Sequence, residues 1–241
     1  NALGPLRILE TIKKLGIKYY QASSSEMFGK VLETPQSETT PFNPQSPYGI
    51  SKTFAYYATK AYRTAYNMFA VNGILFNHES PRRGETFVTQ KVVQGFRKLK
   101  EGKLEVLHIG NVNSQRDFGY AKDYMEAILL MMEQEKPDDY VVASGETHTI
   151  REMIDWVGAL NGYSLSWEGE GLETVAKDIT TQKVIISTDP KYYRPNEVDL
   201  LLGDPTKARE KLGWKPTLNF HQLLELMVKE DRIYAGRKGS T

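Results

Sequence analysis

Tyr48 and Lys52 lie four residues apart on a stretch with helical periodicity, so both side chains project from one face of the predicted helix. A phenol with an ordinary pKa of about 10 is a poor base near neutrality. An adjacent ammonium favours the phenolate, and the pair can then withdraw a proton from an alcohol. Spacing alone does not select this pair: Tyr56/Lys60 and Tyr234/Lys238 repeat it, and among 14 tyrosines an isolated match reads as an incidental surface pair. Context selects it. Tyr48 sits in Ser46-Pro47-Tyr48-Gly49-Ile50-Ser51-Lys52, in the first turn of its helix, and follows Ser23-Ser24-Ser25-Glu26 at the end of a preceding strand. A hydroxyl, a phenol, an ammonium and a carboxylate can then meet at the carboxyl edge of a sheet, where α/β proteins place their sites. Taken singly, the serines serve equally well as turn or capping residues, and Glu26 as a solvated loop charge.

Composition narrows the setting. With 31 Lys+Arg against 30 Asp+Glu, the formal charge is +1, too small a field to attract nucleic acid or an anionic membrane without a local basic patch. The one dense basic cluster, Lys91 to Lys103, interleaves Val92, Val93, Phe96 and Leu99 at helical spacing and reads as the solvated face of an amphipathic helix. Without cysteine, a disulfide framework, a thiolate metal site and a cysteine nucleophile are excluded. His78, His108, His148 and His221 form no H-x-x-x-H or H-E-x-x-H pair, so no metal site is expected. The longest apolar run, Ala127 to Met132, falls far short of the roughly 20 residues that span a bilayer. No signal peptide opens the sequence, and the cytoplasm is the expected compartment.

The elements that must position these residues alternate. Pro5, Leu6, Leu9, Ile12 and Leu15 predict a first helix stopped by Gly16. Ile17 to Ala22 has strand character, Ser46 can cap a helix reaching about Tyr66, and Met68 to Phe76 is an apolar stretch of strand length. Strand, loop, helix and strand in that order are the βαβ grammar of a parallel sheet. Further helices are predicted over Val88 to Lys100, Ala121 to Gln134, Ile150 to Leu160, Pro205 to Leu212 and Phe220 to Ala235. Thr149 with Glu152 makes a capping box, and Asp204-Pro205 an N-cap followed by proline. Leu104 to Ile109 and Tyr140 to Ala143 read as short strands, and Gly162 to Ser187 as an irregular insertion or small hairpin.

These blocks also carry a resemblance. Gln21 to Gly29, Ser46 to Lys52 and Asn72 to Gly84 closely resemble the GDP-mannose 4,6-dehydratase family of extended short-chain dehydrogenase/reductases. The likeness continues through Gln115 to Gly119, Lys136 to Tyr140, Tyr193 to Asp199 and Leu212 to Pro216; the block Asn77 to Gly84 is its most specific part. The resemblance implies an α/β fold: an incomplete Rossmann-like, doubly wound parallel sheet with a smaller C-terminal substrate-binding lobe. Residues 1–82 would be the C-terminal part of an NADP-binding domain, to which segments such as 108–148 return, and residues 83–241 mainly a GDP-sugar-binding lobe.

Roles follow from the same resemblance. Ser24 matches the active-site hydroxyl, Glu26 the acid/base carboxylate, Tyr48 the catalytic tyrosine and Lys52 its partner, which with Tyr48 also contacts the cofactor. His78 and Arg83 match cofactor-contacting positions. Asn77, Glu26, Arg116 and Arg194 match substrate-side positions, and guanidinium forks suit a diphosphate; singly, either arginine could instead serve a structural ion pair. The implied activity is dehydration of GDP-mannose to GDP-4-keto-6-deoxy-mannose through NADP, for deoxysugar synthesis of the GDP-fucose type, by a homo-oligomer (dimer or tetramer) in the full-length form. A related GDP-sugar reductase or epimerase, or an inactive substrate-binding module, is the alternative; Glu26 beside the serines favours dehydration, since a simple reductase needs no base for C5.

One departure stands out. A G-x-G-x-x-G turn between a first strand and helix should hold the cofactor pyrophosphate, and no such motif occurs; the only G-x-G is Gly169-Glu170-Gly171. Relative to the family roughly the first hundred residues are absent. A fragment of an intact enzyme and a natural truncation both account for this, and either is expected to expose a sheet edge and an apolar helix face that favour self-association.

Overall fold

The computed structural model describes residues 1–193, 198 and 200–238. The first stretch holds α1 (Leu3–Ile12), β1 (Tyr19–Ser24), α2 (Pro47–Tyr66), β2 (Ala70–Leu75) and β3 (Asn77–Glu79), with a 3-10 turn over Ser25–Met27. Then come α3 (Val88–Lys100), β4 (Leu107–Ile109), β5 (Gln115–Arg116), β6 (Phe118–Tyr120), α4 (Ala121–Glu133) and β7 (Asp139–Val142). The remainder is β8 (His148–Thr149), α5 (Ile150–Leu160), β9 (Leu165–Glu168), β10 (Val175–Asp178), β11 (Val184–Thr188), α6 (Thr206–Leu212) and α7 (Phe220–Lys238). No helix among the described residues is long and apolar enough to cross a membrane.

The chain divides into two compact units: Asn1–His78 with Arg116–Thr147 and Val198–Thr217, and Glu79–Gln115 with His148–Glu197 and Leu218–Thr241. Sequence-based boundaries at 82 and at 108–148 stand beside this division at 78 and at 116–147.

In the first unit β1, β2 and β7 form a parallel sheet with β2 central. Alternation along β2 explains how both faces are covered, since successive side chains of a strand point to opposite faces. Val71 and Leu75 join Tyr124, Ala127 and Met131 of α4 and Leu212 of α6, whereas Ile74 joins Tyr56 of α2 with Met27 and Phe28. Helices on both faces of a parallel sheet are the doubly wound arrangement expected. Helix α2 starts where the sequence predicts: the Ser46 hydroxyl accepts from Gly49 N–H at 3.0 Å and Pro47 opens the first turn, a cap worth about 1 kcal/mol. It ends at Asn67, whose φ of +50° lies in the left-handed region that asparagine tolerates. On α1, Leu3 and Ile8 stay exposed, and β1 is an edge strand.

The second unit packs α3, α5 and α7 on one another, with Phe96, Ile154, Val157 and Met227 buried. The Thr149/Glu152 capping box that starts α5 is present. Two expectations need correction. Gly162 to Ser187 is neither irregular nor a lone hairpin: β9, β10 and β11 run antiparallel and β11 pairs parallel with β4, giving the order β4-β11-β10-β9. The polar composition hides a period-two burial pattern, and β4 is a partner distant in sequence. In the first unit, α6 begins at Thr206, not Pro205, because the Asp204 carboxylate accepts from Thr206 N–H at 3.0 Å two residues on, an Asx turn that leaves Pro205 outside the helix.

Candidate active site

β1 ends in Ser24, which is buried and has extended backbone, and the chain turns at once into the 3-10 turn. The Ser24 hydroxyl oxygen accepts from Glu26 N–H at 3.2 Å, so Ser24 is a cap, as the bland reading held. Capping uses the oxygen alone and leaves the hydroxyl proton free to be donated. Glu26 is half-buried behind it.

Helix α2 comes onto this turn through Gly49. A Cβ at that position would lie 2.6 Å from the Glu26 carbonyl oxygen, so only glycine allows the approach. Tyr48, one residue earlier, is 44% exposed, leaving its phenol open to a substrate. Lys52 is half-buried; its ammonium donates to the Ala22 carbonyl of β1 at 2.6 Å and lies 5.6 Å from the Tyr48 ring centre. Burial pushes the Lys52 amine below the ordinary lysine range. The structure thus brings Ser24, Glu26, Tyr48 and Lys52 to one end of β1.

β2 runs parallel to β1 with Leu75 opposite Ser24, so the β3 residues Asn77 and His78 leave the same carboxyl edge, both half-buried. The His78 Nδ1–H donates to the Phe76 carbonyl at 2.8 Å, and the ring stacks on Tyr124 with centres 5.0 Å apart. Arg116 is buried on β5 and is not without a partner. Its neighbour Asp117 is fully buried and accepts from Ser144 N–H and Oγ–H, Gly145 N–H and Gly203 N–H; burial pushes its carboxyl up to about 6 despite these donors.

Arg83 belongs to the second unit, where its guanidinium pairs with buried Glu79 at 3.0 Å and stacks 3.5 Å from the Phe87 ring centre. Arg194 lies outside the described residues. The second unit also holds a cleft of about 250 Å³ lined by Lys91, Gln94, Lys98, His108 and Tyr192, with the Lys91 ammonium 3.2 Å from the Tyr192 ring centre. None of these five is a residue that sequence reasoning singled out as a site.

Sequence reasoning also passed over Asn72, Asp139 and Tyr56, which form a buried polar group beneath α2. Asn72 donates to Asp139 at 2.8 Å and accepts from the Ser23 hydroxyl at 3.1 Å. A signal existed: Asn72 is the one polar side chain in the apolar strand Ala70–Leu75, and a buried amide must find partners.

A doubly wound parallel sheet that delivers a hydroxyl, and a tyrosine–lysine pair on the next helix, to one sheet edge defines a short-chain dehydrogenase/reductase fold. Among solved structures the chain is similar to dTDP-glucose 4,6-dehydratase from Bacillus anthracis in complex with NAD: TM-score 0.79, 21% identity, covering 96% of this chain and 67% of that one. It is likewise similar to RMD from Pseudomonas aeruginosa complexed with NADPH: TM-score 0.78, 23% identity, 96% of this chain and 73% of that one. At these identities the likeness is one of fold.

The particular family comes from sequence. The family model described as GDP-mannose 4,6 dehydratase matches residues 1–227, and the chain belongs to that family. The human GDP-mannose 4,6 dehydratase is 49% identical over 96% of this chain, and that of Dictyostelium discoideum is 49% identical over 97%. The chain spans 63% of the human relative and 67% of the Dictyostelium one.

Proposed function

We propose that this chain carries the catalytic residues for dehydration of GDP-mannose to GDP-4-keto-6-deoxy-mannose. The observation that carries the reading is the meeting of the Ser24-Glu26 cap with the start of α2 through Gly49, while Lys52 reaches back to Ala22.

A nicotinamide cofactor fits this edge. Tyr48 offers an exposed hydroxyl, Lys52 a half-buried ammonium, and His78 an imidazole whose Nδ1–H is already committed to Phe76. Tyr48 and Lys52 would hold its ribose, with His78 and Arg83 as further contacts. When bound, the cofactor supplies the acceptor of a hydride from the sugar and later its donor, so it is regenerated.

The chain's own side chains would move the protons. Tyr48, its ring centre 5.6 Å from the Lys52 ammonium, takes the proton of the mannose 4-hydroxyl. Ser24 donates its free hydroxyl proton to the same sugar oxygen and steadies the charge that develops there. A ketone at C4 acidifies the C5 proton; Glu26 removes it and passes a proton to the 6-oxygen, which leaves as water. On the same reading the cofactor is NADP, residues 1–82 with segments such as 108–148 serve it, residues 83–241 mainly serve the GDP-sugar, Asn77, Arg116 and Arg194 take the substrate, and the full-length protein is a homo-oligomer.

The test is to incubate the protein with GDP-mannose, with and without NADP, and follow the nucleotide sugar by mass spectrometry. Loss of one water that requires NADP and disappears in Tyr48→Phe is the expected result. GDP-mannose bound but unchanged, with NADP and with the rest of the full-length protein supplied, would favour a binding module and sink the dehydratase reading.

A further inference from the structure

Helix α2 carries the repeat Tyr48, Lys52, Tyr56, Lys60, one residue per turn along a single stripe. Its first half faces the candidate site and its second half faces a buried carboxylate. Asp139, 5% exposed on β7, accepts from the Tyr56 hydroxyl at 3.0 Å, pairs with the Arg63 guanidinium, and has the Lys60 ammonium 3.6 Å away. Arg63 also donates through Nε to the Ala70 carbonyl of β2 at 2.6 Å. Asp139 stands directly opposite Asn72 in the sheet register, and Asn72 passes the connection on to Ser23, next to Ser24.

We propose that Asp139 is a positioning residue: by holding Tyr56, Lys60 and Arg63 of α2 and, through Asn72, Ser23 of β1, it fixes the rotation of the helix that presents Tyr48 and Lys52 over the strand that presents Ser24. This rests on the proposed roles of Tyr48, Lys52 and Ser24. The physical reason lies in the kind of contact. Apolar packing of Tyr56 among Ile74, Phe76 and Val141 holds the helix on the sheet but tolerates small rotations about its axis. Directional bonds from Tyr56 and Arg63 to a single carboxylate, with the Lys60 ammonium drawn toward it as an ion pair, do not tolerate them. Lys52 sits one turn from Tyr56, so rotation released there would be felt at the Lys52 bond to Ala22, and a displacement of about 1 Å at a reacting group can lower a rate up to about a hundredfold.

The test uses Tyr56→Phe, which keeps the ring and removes one bond, and Asp139→Asn, which keeps the shape, removes the charge and, with the amide oxygen kept toward Asn72 and Arg63, replaces the acceptor facing Tyr56 and Lys60 by a donor. Leu9→Ala is the control: it opens a cavity in the separate cluster that packs Leu9 and Met68 against Ala58 and Tyr62 of the same helix. In protein labelled with carbon-13 at lysine Cε, Lys52 is followed by NMR through a pH titration, and folding is checked by the thermal melt. Expected is an upward move of the Lys52 midpoint toward the ordinary lysine value in folded Tyr56→Phe, a larger move in Asp139→Asn if it folds, and none in Leu9→Ala. Equal moves in Tyr56→Phe and Leu9→Ala, or no move in Tyr56→Phe, would overturn the proposal.

A kinetic arm separates this idea from the function itself. With GDP-mannose and NADP, Tyr56→Phe should lower kcat about tenfold, within the range expected for a misplaced reacting group, and leave KM unchanged. Failure of the unaltered protein to turn over would count against the dehydratase reading and leave the NMR result to decide the positioning.

Discussion

Asp117 and Asp139 are both nearly fully buried in the first unit, and their charges behave in opposite ways. The groups that hold Asp117 are neutral: three backbone N–H groups and the Ser144 hydroxyl. Burial wins there and lifts its carboxyl to about 6. Burial also works against Asp139, but the Arg63 guanidinium, then Asn72 and Tyr56, outweigh it and hold this carboxyl below its ordinary value of 3.8. The same residue type at the same depth therefore does two jobs. Asp117 ties the loop after β7 to Gly203, whereas Asp139 locks a helix to a sheet beneath the candidate site. Burial sets the cost of the charge, and the chemistry of the partner decides whether the cost is recovered.

The largest effect that would sharpen this contrast is truncation of each. Asp139→Ala leaves Arg63 with an uncompensated charge in a mostly buried place and should lower unfolding free energy by about 3–5 kcal/mol. Asp117→Ala strands several N–H groups but also removes a charge that burial disfavours, so its loss at neutral pH should be smaller, about 1–3 kcal/mol. Urea unfolding of the two variants at one pH measures the difference; equal losses would erase the contrast.

The signs against pH should be opposite as well. Because Asp117 binds its proton more tightly folded than unfolded, the stability it contributes is present below the ordinary carboxylate range and is lost as pH rises from about 4 to about 6. For Asp139 the folded value is depressed, so its contribution is present above the ordinary value and is lost as pH falls through the folded one. Melting temperature against pH should therefore flatten between about 4 and 6 in Asp117→Asn, and flatten only at more acid pH in Asp139→Asn. The same slope change in both variants would show that the partners do not set the charges.

Asp117 and Asp139 also show where local sequence stopped being informative. Tyr48, Lys52, Ser24 and Glu26 stood out because a helix start and a strand end are written locally, in Ser46-Pro47 and in the hydroxyl run after an apolar strand. The alternation of strands and helices was legible for the same reason. What joins Asp139 to Tyr56, or Asp117 to Gly203, is 83 and 86 residues of separation closed by the fold, and no local period announces it. Tyr56 and Lys60 even passed for an incidental pair, because what gives them a role is a carboxylate on β7. The sheet β4-β11-β10-β9 escaped in the same way, since β11 finds its parallel partner 79 residues back in the chain, with Thr188 opposite Ile109.

The smallest effects test which partner holds the charge. Tyr56→Phe and Ser144→Ala each delete one neutral hydroxyl donor to a buried aspartate, and each should cost about 1 kcal/mol. Their consequences for the carboxylates should nevertheless differ. Asp139 keeps Arg63 and Asn72 after Tyr56→Phe, so a cation still opposes the cost of burial and its titration should move up only slightly. Among the described residues Asp117 keeps only backbone N–H donors after Ser144→Ala, one of them at 3.4 Å, and its carboxyl should rise further above 6. Carbon-13 NMR of aspartate carboxyl groups through a pH titration reads both directly. If Asp139 moved more than Asp117, its charge would be held by the ring of neutral donors, with Arg63 serving mainly to tie α2 to Ala70.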